Sequence, residues 1–187
     1  MIEMIGVLAI IGVLSIGGIA GYSKAMSKYK VNKTAEQISQ IAQSIRAAYM
    51  GQKRYSDLTP TVIKKSHLAP DEMYETQSTN DLTHPFGGTV VIETSDKKKN
   101  NDQRAFTVTL SAVPQEICIE LLTQDWGTGS FSGLIALGDE NTTKSASSGC
   151  LDSAGLTRCS KAGNMSMTQA TEICNDQTNN TITWKFY

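Results

Sequence analysis

The sequence has few of the residues that carry out chemistry. Its two histidines, His67 and His84, lie far apart along the chain, and it contains no GxSxG, Walker A, HExxH or CxxC motif. His84 lies in a predicted turn, where we expect a structural role. Two acidic pairs in loop-like sequence are expected to face solvent: Asp71-Glu72 and Asp139-Glu140. These absences argue against an enzyme, and we predict no catalytic residue, no metal site and no cofactor.

The sequence also lacks a strong excess of one charge. The net charge is −1, and residues 55–187 carry −6, which argues against nucleic-acid binding. Only the lysine run 97–99 would supply a basic patch, and we expect it to be a solvated loop. Residues 1–54 carry +5. This asymmetry would suit staggered packing of identical subunits, although the lysines at residues 24–33 could equally mark a membrane boundary.

One long apolar run is present, over residues 1–22, and its single charge is Glu3. At 1.5 Å per residue, about 22 helical residues span about 33 Å, which is enough to cross a bilayer. The run differs in form from a cleavable signal peptide, which has a basic first segment and a shorter apolar core. A passive anchor gains nothing from a carboxylate at this depth. Glu3 is therefore predicted to need a positive partner, and another chain's N-terminal amine is the candidate.

Residues 1–30 resemble the N-terminus of mature type IV pilins. The matching residues are Ile2-Glu3-Met4, Ala9-Ile10-Ile11-Gly12-Val13-Leu14 and Tyr22. Members of that family usually carry two further residues before the glutamate, the first with a methylated amine. We expect that those residues, and a leader removed by prepilin peptidase, are missing from this chain. In this family context Glu3 is predicted to set the register of added subunits, because a misplaced subunit would leave its carboxylate unpaired.

Many members of the family have a proline where this chain has Ala20, and that proline kinks or locally melts the helix on assembly. Here Gly17, Gly18 and Gly21 surround the position. Each glycine costs about 1 kcal/mol relative to alanine inside a helix. We therefore predict that residues 15–22 unwind when the subunit enters a filament. The alternative is that the glycines permit close packing between helices.

The helical pattern continues past the apolar run and becomes amphipathic. An apolar stripe is predicted to pack on a globular domain, and its residues are Ile38, Ile41, Ala42, Ile45, Ala48 and Tyr49. Gly51 and the loop-like residues 55–60 are expected to end the helix. The chain is thus predicted to divide into an apolar half-helix over 1–22, an amphipathic half-helix over 23–51 and a globular domain over 52–187.

The globular domain is predicted to contain an antiparallel sheet. Strands are expected at residues 88–94, 106–113, 133–138 and 181–187. The last strand is expected to close the sheet, and a polar hairpin tip, residues 95–104, to join the first two. A short helix is predicted at 114–123, with a proline in its first turn. Residues 138–163 form a predicted loop-rich stretch.

Four cysteines, Cys118, Cys150, Cys159 and Cys174, have spacings unlike those of a zinc site. An even count in an exported domain indicates two disulfides, although four cysteines allow three pairings. We favour Cys118 with Cys174, which would tie the short helix to the segment before the last strand. The second pair would then be Cys150 with Cys159, closing a short loop. Reduced cysteines in a cytosolic protein are the alternative.

The second half of the chain resembles the type IVb subgroup, especially the bundle-forming and PilS-like conjugative thin-pilus pilins. The matching residues are His84-Pro85-Phe86-Gly87-Gly88, Val113-Pro114-Gln115-Glu116-Ile117-Cys118, Asp125-Trp126-Gly127 and Ala170-Thr171-Glu172-Ile173-Cys174. The resemblance implies an α+β type IV pilin fold, with a long N-terminal α-helix and a C-terminal globular domain whose antiparallel β-sheet packs on the helix. It also implies a surface-exposed, disulfide-bounded region, 118–174, that sets subunit contacts, adhesion or receptor recognition.

The resemblance therefore implies the major structural subunit of a type IVb pilus. Such a subunit is held in the bacterial inner membrane and then polymerises with identical subunits into an extracellular filament, or fimbrium, for conjugation, adhesion or aggregation. The implied partners are the prepilin peptidase, the pilus assembly machinery and a host or recipient-cell surface receptor. Two alternatives stay open. The chain could be a minor pilin or type II secretion pseudopilin, or a membrane-anchored binding module that does not polymerise.

Overall fold

The computed structural model describes residues 2–52, 54–74, 82–95, 103–127, 132–139, 159–160 and 163–187, with side chains from residue 4 onward. In this part of the chain the helices are α1 (Ile2–Ala48), α2 (Pro60–Lys65), α3 (Gln115–Thr123) and α4 (Met167–Ile173), with a 3-10 helix at Asp71–Met73. The strands are β1 (Leu82–Thr83), β2 (Thr89–Ser95), β3 (Ala105–Val113), β4 (Leu134–Gly138), β5 (Cys159–Ser160) and β6 (Asn180–Phe186). The predicted α+β class, a long helix followed by an antiparallel sheet, is confirmed.

Helix α1 runs without interruption for 47 residues, which is about 70 Å at 1.5 Å per residue. Its two halves differ in burial. Every described side chain from residue 4 to residue 25 is exposed, whereas from Val31 onward one face of the helix is buried. The helix ends at Ala48, slightly before the predicted end at Gly51. It ends there because the Met50 and Gln52 amides donate to carbonyls three residues back, a tighter pattern than that of the α-helix.

The described strands pair antiparallel in the order β1-β2-β3-β6-β4-β5. Strands β2 and β3 form the predicted hairpin, with Ile92 opposite Val108. The prediction that the last strand closes the sheet is wrong, because β6 lies between β3 and β4. An interior strand covered on both faces buries polar as well as apolar side chains, and Thr183 and Lys185 are at most 4% exposed. The alternation in its sequence therefore did not reveal its interior position.

The apolar face of the sheet and the second half of α1 share one core. Its sheet residues include Val90, Ile92, Phe106, Val108, Leu110, Ile182, Trp184 and Phe186. A row of aromatic rings links the helix to the sheet, from Tyr49 to Tyr55 (5.1 Å between centroids), to Phe106 (5.0 Å) and to Phe186 (5.5 Å). The predicted apolar stripe is buried except for Ala48, the last helical residue, which is exposed. Tyr49 covers the core at this end instead.

Several short elements were not predicted, although two carried recognisable signals. Helix α2 begins at Pro60, which the prediction placed in a loop, and the Thr59 hydroxyl accepts a hydrogen bond from the Val62 amide at its N-cap. Helix α4 begins with a reciprocal capping box between Ser166 and Gln169. Of the predicted hairpin tip, residues 96–102 lie outside the described part of the chain. The same holds for most of the loop-rich stretch 138–163, although its residues Cys159–Ser160 form β5.

Candidate assembly surface

The exposed half of α1 is an extended apolar surface. Eleven large hydrophobic side chains between residues 4 and 22 are 53–73% exposed, and no charged residue occurs from 4 to 23. Elsewhere in the described chain the exposed large hydrophobic residues are isolated: Tyr29, Met50, Val91 and Met167. By length and composition α1 could cross a membrane, and none of its most apolar window is buried by the rest of the chain. A surface of this size needs a cover, either lipid or another protein chain.

The predicted assembly glycines lie within this exposed half, and none of them is required for packing inside the subunit. A Cβ atom added at Gly17, Gly18 or Gly21 would meet nothing within 4 Å. The helix is continuous through these positions in the single subunit. Both predicted roles, unwinding on assembly and close packing between helices, concern the filament and stay predictions. Glu3 belongs to the same helix, but its side chain lies outside the described part of the chain.

Three lysines join the middle of α1 to the globular domain. Lys28 Nζ lies 3.7 Å from the Glu120 carboxylate, and Lys33 Nζ lies 2.8 Å from that of Glu72. The hydrogen bond to Glu72 raises the pKa of Lys33. Lys30 Nζ lies over the ring of Phe86, 5.7 Å from its centroid. These contacts give the lysines a role inside the subunit, in addition to the membrane-boundary and packing roles suggested by the charge distribution.

Lys24 precedes these three lysines on α1 and has different surroundings. Lys24 is exposed, and the described residues provide it with no ion-pair partner. Of the predicted solvent-facing carboxylates, Asp71 and Glu72 are exposed, whereas Asp139 is half-buried. Asp71 Oδ1 lies 3.4 Å from His67 Nδ1, and Glu72 pairs with Lys33. Glu140 and the lysine run 97–99 lie outside the described part of the chain.

A turn anchored by His84 holds Phe86 against α1. The His84 Nε2–H donates to the Ser111 carbonyl oxygen (2.8 Å), and Nδ1 accepts from the Phe86 amide (3.3 Å). Burial lowers the pKa of His84, partly offset by the bond to Ser111. A Cβ at Gly88 would overlap both the Ser111 carbonyl and the imidazole, so only glycine fits there. The structural role predicted for His84 is confirmed by these contacts.

A cleft of about 450 Å³ opens between α1 and the globular domain at this level. Residues 19–30 of α1 form one wall, and Phe86, Pro114 and Ile117 form the other. Lys30 and Glu116 are its charged residues. This cleft was not predicted from the sequence. No local pattern marks it, because its walls come from residues 19–30, Phe86 and residues 114–117, and their proximity depends on the fold of the sheet.

The Cys118–Cys174 disulfide, favoured in the sequence analysis, is present in the structure. It joins α3 to the end of α4, and both cysteines are fully buried. The Gln115 side-chain amide also donates to the Cys174 carbonyl oxygen (2.9 Å). Cys159 is disulfide-bonded as well. Cys150 lies outside the described part of the chain, so its pairing with Cys159 stays a prediction.

Solved structures with the same arrangement of long helix and sheet are type IV pilins. A type IVb pilin from Salmonella typhi is matched with a TM-score of 0.53 and 16% identity, over 82% of this chain and 97% of that chain. TcpA, a type IV pilin from Vibrio cholerae El Tor biotype, is matched with a TM-score of 0.56 and 13% identity, over 85% and 99%. At these identities the likeness defines the fold, that of a type IV pilin.

Sequence comparison defines the family. Residues 23–184 match the Bundlin family. The major structural subunits of bundle-forming pilus from Escherichia coli O111:H- and O127:H6 are each 26% identical to this chain, over 78% and 76% of it and 73% and 72% of their own lengths. The chain therefore belongs to the bundlin family of type IVb pilins. This is a family of structural subunits and not of enzymes, which confirms the prediction drawn from the missing catalytic motifs.

Proposed function

We propose that this chain is the major structural subunit of a type IVb pilus. It is held in the bacterial inner membrane by residues 1–22 and then polymerises with identical chains into an extracellular filament. The observation that carries this proposal is the apolar half of α1, whose described side chains from 4 to 25 are all exposed in the subunit. The E. coli relatives named as major subunits of bundle-forming pilus support the same function.

The transfer from membrane to filament is energetically feasible because both environments are apolar. Lipid tails and the helices of neighbouring subunits solvate leucine and isoleucine side chains about equally well, so the net change is small. Residues 23–51 and 52–187 would then form the part of the subunit that stays folded throughout. The prepilin peptidase, the assembly machinery and a receptor on a host or recipient cell are the further partners that we propose, with the region 118–174 as the receptor-facing surface.

Immunogold electron microscopy tests the proposal directly. An antibody against region 118–174 would be applied to cells and to filaments sheared from their surface. Label along whole filaments is the expected result for a major subunit. Label confined to filament tips would indicate a minor pilin, and label confined to the inner membrane would indicate a pseudopilin or an anchored binding module. Either of these outcomes would contradict the proposal.

Glu3 is proposed to act during assembly and not during insertion into the membrane. We expect Glu3→Ala to insert at the normal level but to give few or no filaments, because the register that the carboxylate sets is lost. Glu36→Ala is the matched control, since Glu36 is an exposed glutamate of the same helix beyond its apolar half. Membrane-fraction blots and counts of sheared filaments measure the two steps separately. A normal filament yield for Glu3→Ala would refute this role.

A further inference from the structure

The cleft between α1 and the globular domain contains two charged side chains of opposite sign. Lys30 lies on its α1 wall, and Glu116 lies on the facing wall, in the first turn of α3. Neither forms an ion pair within the described part of the chain. Lys30 Nζ lies over the Phe86 ring, but an ammonium has three N–H donors, and one ring does not satisfy all of them. The cleft therefore offers a hydrogen-bond-donating cation and an accepting carboxylate to a ligand.

The α1 wall of the cleft changes in character along the helix. From the N-terminal end its lining residues are Ile19, Tyr22, Ser23, Met26, Ser27 and Lys30. They recur every three or four positions, so they share one face of the helix. Apolar side chains come first, two hydroxyl groups follow on either side of Met26, and the ammonium is last. A phospholipid has the same order, with acyl chains first, then ester oxygens and then phosphate.

The cleft also lies at the depth where the surface of a bilayer would cross α1. Residues 4–23 are 20 consecutive uncharged residues, about 30 Å of helix, which matches the hydrocarbon core of a bilayer. Ile19 and Tyr22 are 71% and 69% exposed, so the apolar end of the cleft opens toward this core. A lipid can therefore reach the cleft by moving sideways within its own leaflet. This position favours a lipid over a water-soluble ligand.

We infer that the cleft binds the headgroup of an ethanolamine phospholipid while the subunit is held in the membrane, an inference that rests on the proposed function. Lys30 would donate hydrogen bonds to the phosphate, and Glu116 would accept them from the primary ammonium of the lipid. The Ser23 and Ser27 hydroxyls would lie beside the ester oxygens. Because the lipid would touch both walls, it would hold the globular domain against the bilayer until the subunit is extracted.

Charge selects this headgroup over two common alternatives. A choline headgroup carries a quaternary ammonium without an N–H, so it has no hydrogen bond to donate to Glu116. A glycerol headgroup contains no cation, so the Glu116 carboxylate would stay unpaired beside an anionic phosphate. The neighbouring charges do not alter this balance, because Lys28 and Glu120 lie 3.7 Å apart and pair with each other.

Photolabelling of the full chain in vesicles tests the contact. Vesicles of phosphatidylcholine would contain a small fraction of one photoactivatable lipid, which is phosphatidylethanolamine, phosphatidylcholine or phosphatidylglycerol with the reactive group on the acyl chain next to the ester. Mass spectrometry then locates the label. Any lipid around α1 can label residues 4–23, whereas label on residues 114–117 requires a lipid in the cleft. We expect the ethanolamine lipid to label 114–117 roughly threefold more than either of the others.

Reversing the charge at Glu116 should reverse the selectivity. In Glu116→Lys the cleft contains two cations, so we expect the phosphatidylglycerol label on 114–117 to exceed the phosphatidylethanolamine label. Glu172→Lys is the matched control, since Glu172 is an exposed glutamate of α4 that does not line the cleft, and it should keep the preference of the parent chain. Glu116→Gln, which is nearly identical in shape to the parent, should lose the preference for ethanolamine over choline and provides the test if Glu116→Lys does not fold.

Lys30→Met provides a second, independent measurement. All three lipids contain a phosphate, so this change should lower the label on 114–117 by a similar factor for each of them and leave their order unchanged. Lys24→Met is the control, because Lys24 is an exposed lysine of the same helix that does not line the cleft. It should be labelled as the parent chain is. Labelling of Lys30→Met at the parent level would contradict the contact between Lys30 and the phosphate.

Two results would overturn the inference while leaving the proposed function intact. One is equal labelling of 114–117 by the three lipids, and the other is label confined to residues 4–23, in both cases with the chain inserted in the vesicles. A shift in Glu172→Lys as large as that in Glu116→Lys would also overturn the inference, because it would indicate a general effect of surface charge. A chain that does not insert into vesicles would contradict the membrane-held state, and the inference would fail together with the proposed function.

Discussion

The two halves of α1 have the same backbone conformation and opposite surroundings. From residue 4 to residue 25 all described side chains are exposed, although this half is the more apolar of the two. From Val31 onward the helix buries one face against the sheet, with Ile41 and Ile45 fully buried. Burial within the subunit therefore does not follow from apolarity alone. The first half of the helix is built for surroundings that a single chain does not supply.

Because of this difference, we expect changes in the two halves of α1 to affect different properties, namely the stability of the subunit and its assembly. A change in the second half of α1 or in the globular domain should alter the free energy of unfolding of the subunit. A change in the first half should leave that free energy almost unaltered and act on membrane insertion or on filament formation. A change in one half that alters the property assigned to the other half would contradict this separation.

The largest effect on subunit stability is expected from the buried disulfide. Replacing both Cys118 and Cys174 by serine removes a crosslink between residues separated by 56 positions, and the loop-entropy estimate for such a loop is about 4 kcal/mol. Denaturant unfolding of the full chain in detergent, followed by tryptophan fluorescence, measures this loss. The membrane-inserted fraction of freshly made protein should not change. A variant as stable as the parent would show that α3 and α4 are held together without the crosslink.

A matched pair of isoleucines tests the comparison within one helix. Ile41→Ala removes a fully buried side chain, so we expect a loss of about 3 kcal/mol in the free energy of unfolding. Ile11→Ala removes a side chain that is 53% exposed in the subunit, so the loss should be below about 0.5 kcal/mol. Unfolding curves of both variants under the same conditions provide the measurement. Similar losses at the two positions would mean that the halves are not independent.

The parts of this fold that could be predicted from the sequence depend on local periodicity. The apolar run, the amphipathic stripe around Ile41 and the β2–β3 hairpin each repeat a pattern along consecutive residues, and each was predicted within a few residues. The position of β6 was not predictable in this way, because its neighbours β3 and β4 are distant in sequence. The short helices α2 and α4 were missed despite clear N-cap signals, since each has only one or two turns of periodicity.

Part of the assembly surface could also be predicted from local features of the sequence. The exposed apolar half of α1 follows from composition, and the Cys118–Cys174 disulfide was favoured because it would tie the predicted short helix to the segment before the last strand. The cleft could not be predicted, because it requires Phe86 and Pro114 to meet residues 19–30 of the helix. That proximity depends on the His84 turn being held against Ser111, a contact between residues 27 positions apart.

The glycines test whether the exposed half of α1 must change shape. Gly18→Ala and Gly12→Ala are matched, since a Cβ at either position meets nothing within 4 Å. Each should favour the local helical conformation of the exposed half by about 1 kcal/mol, seen as helical content by circular dichroism in detergent, and should leave the free energy of unfolding of the subunit almost unaltered. Filament yield should fall for Gly18→Ala and not for Gly12→Ala, because only Gly18 lies in the segment predicted to unwind or to pack closely. Equal filament yields from the two variants would show that residues 15–22 have no special role in assembly.

The smallest effect is expected at the boundary between the two halves, where lysines connect α1 to the globular domain. Lys33 forms an ion pair with Glu72 (2.8 Å), and its side chain is 26% exposed while that of Glu72 is 62% exposed. A pair this accessible to solvent contributes little, and salt screens it. Lys33→Met should therefore lower the free energy of unfolding only slightly, far less than Ile41→Ala does, and the difference from the parent should shrink in 1 M salt.

Lys24→Met is the control for this boundary, because the described residues provide Lys24 with no ion-pair partner. We expect it to leave subunit unfolding unchanged at low and at high salt. If Lys24 instead contributes to the charge asymmetry that suits staggered packing, its loss should make filaments, and only filaments, fall apart at lower salt than the parent. A change in subunit stability at Lys24 as large as that at Lys33 would place the boundary between the two halves of α1 nearer to the N-terminus than the burial pattern does.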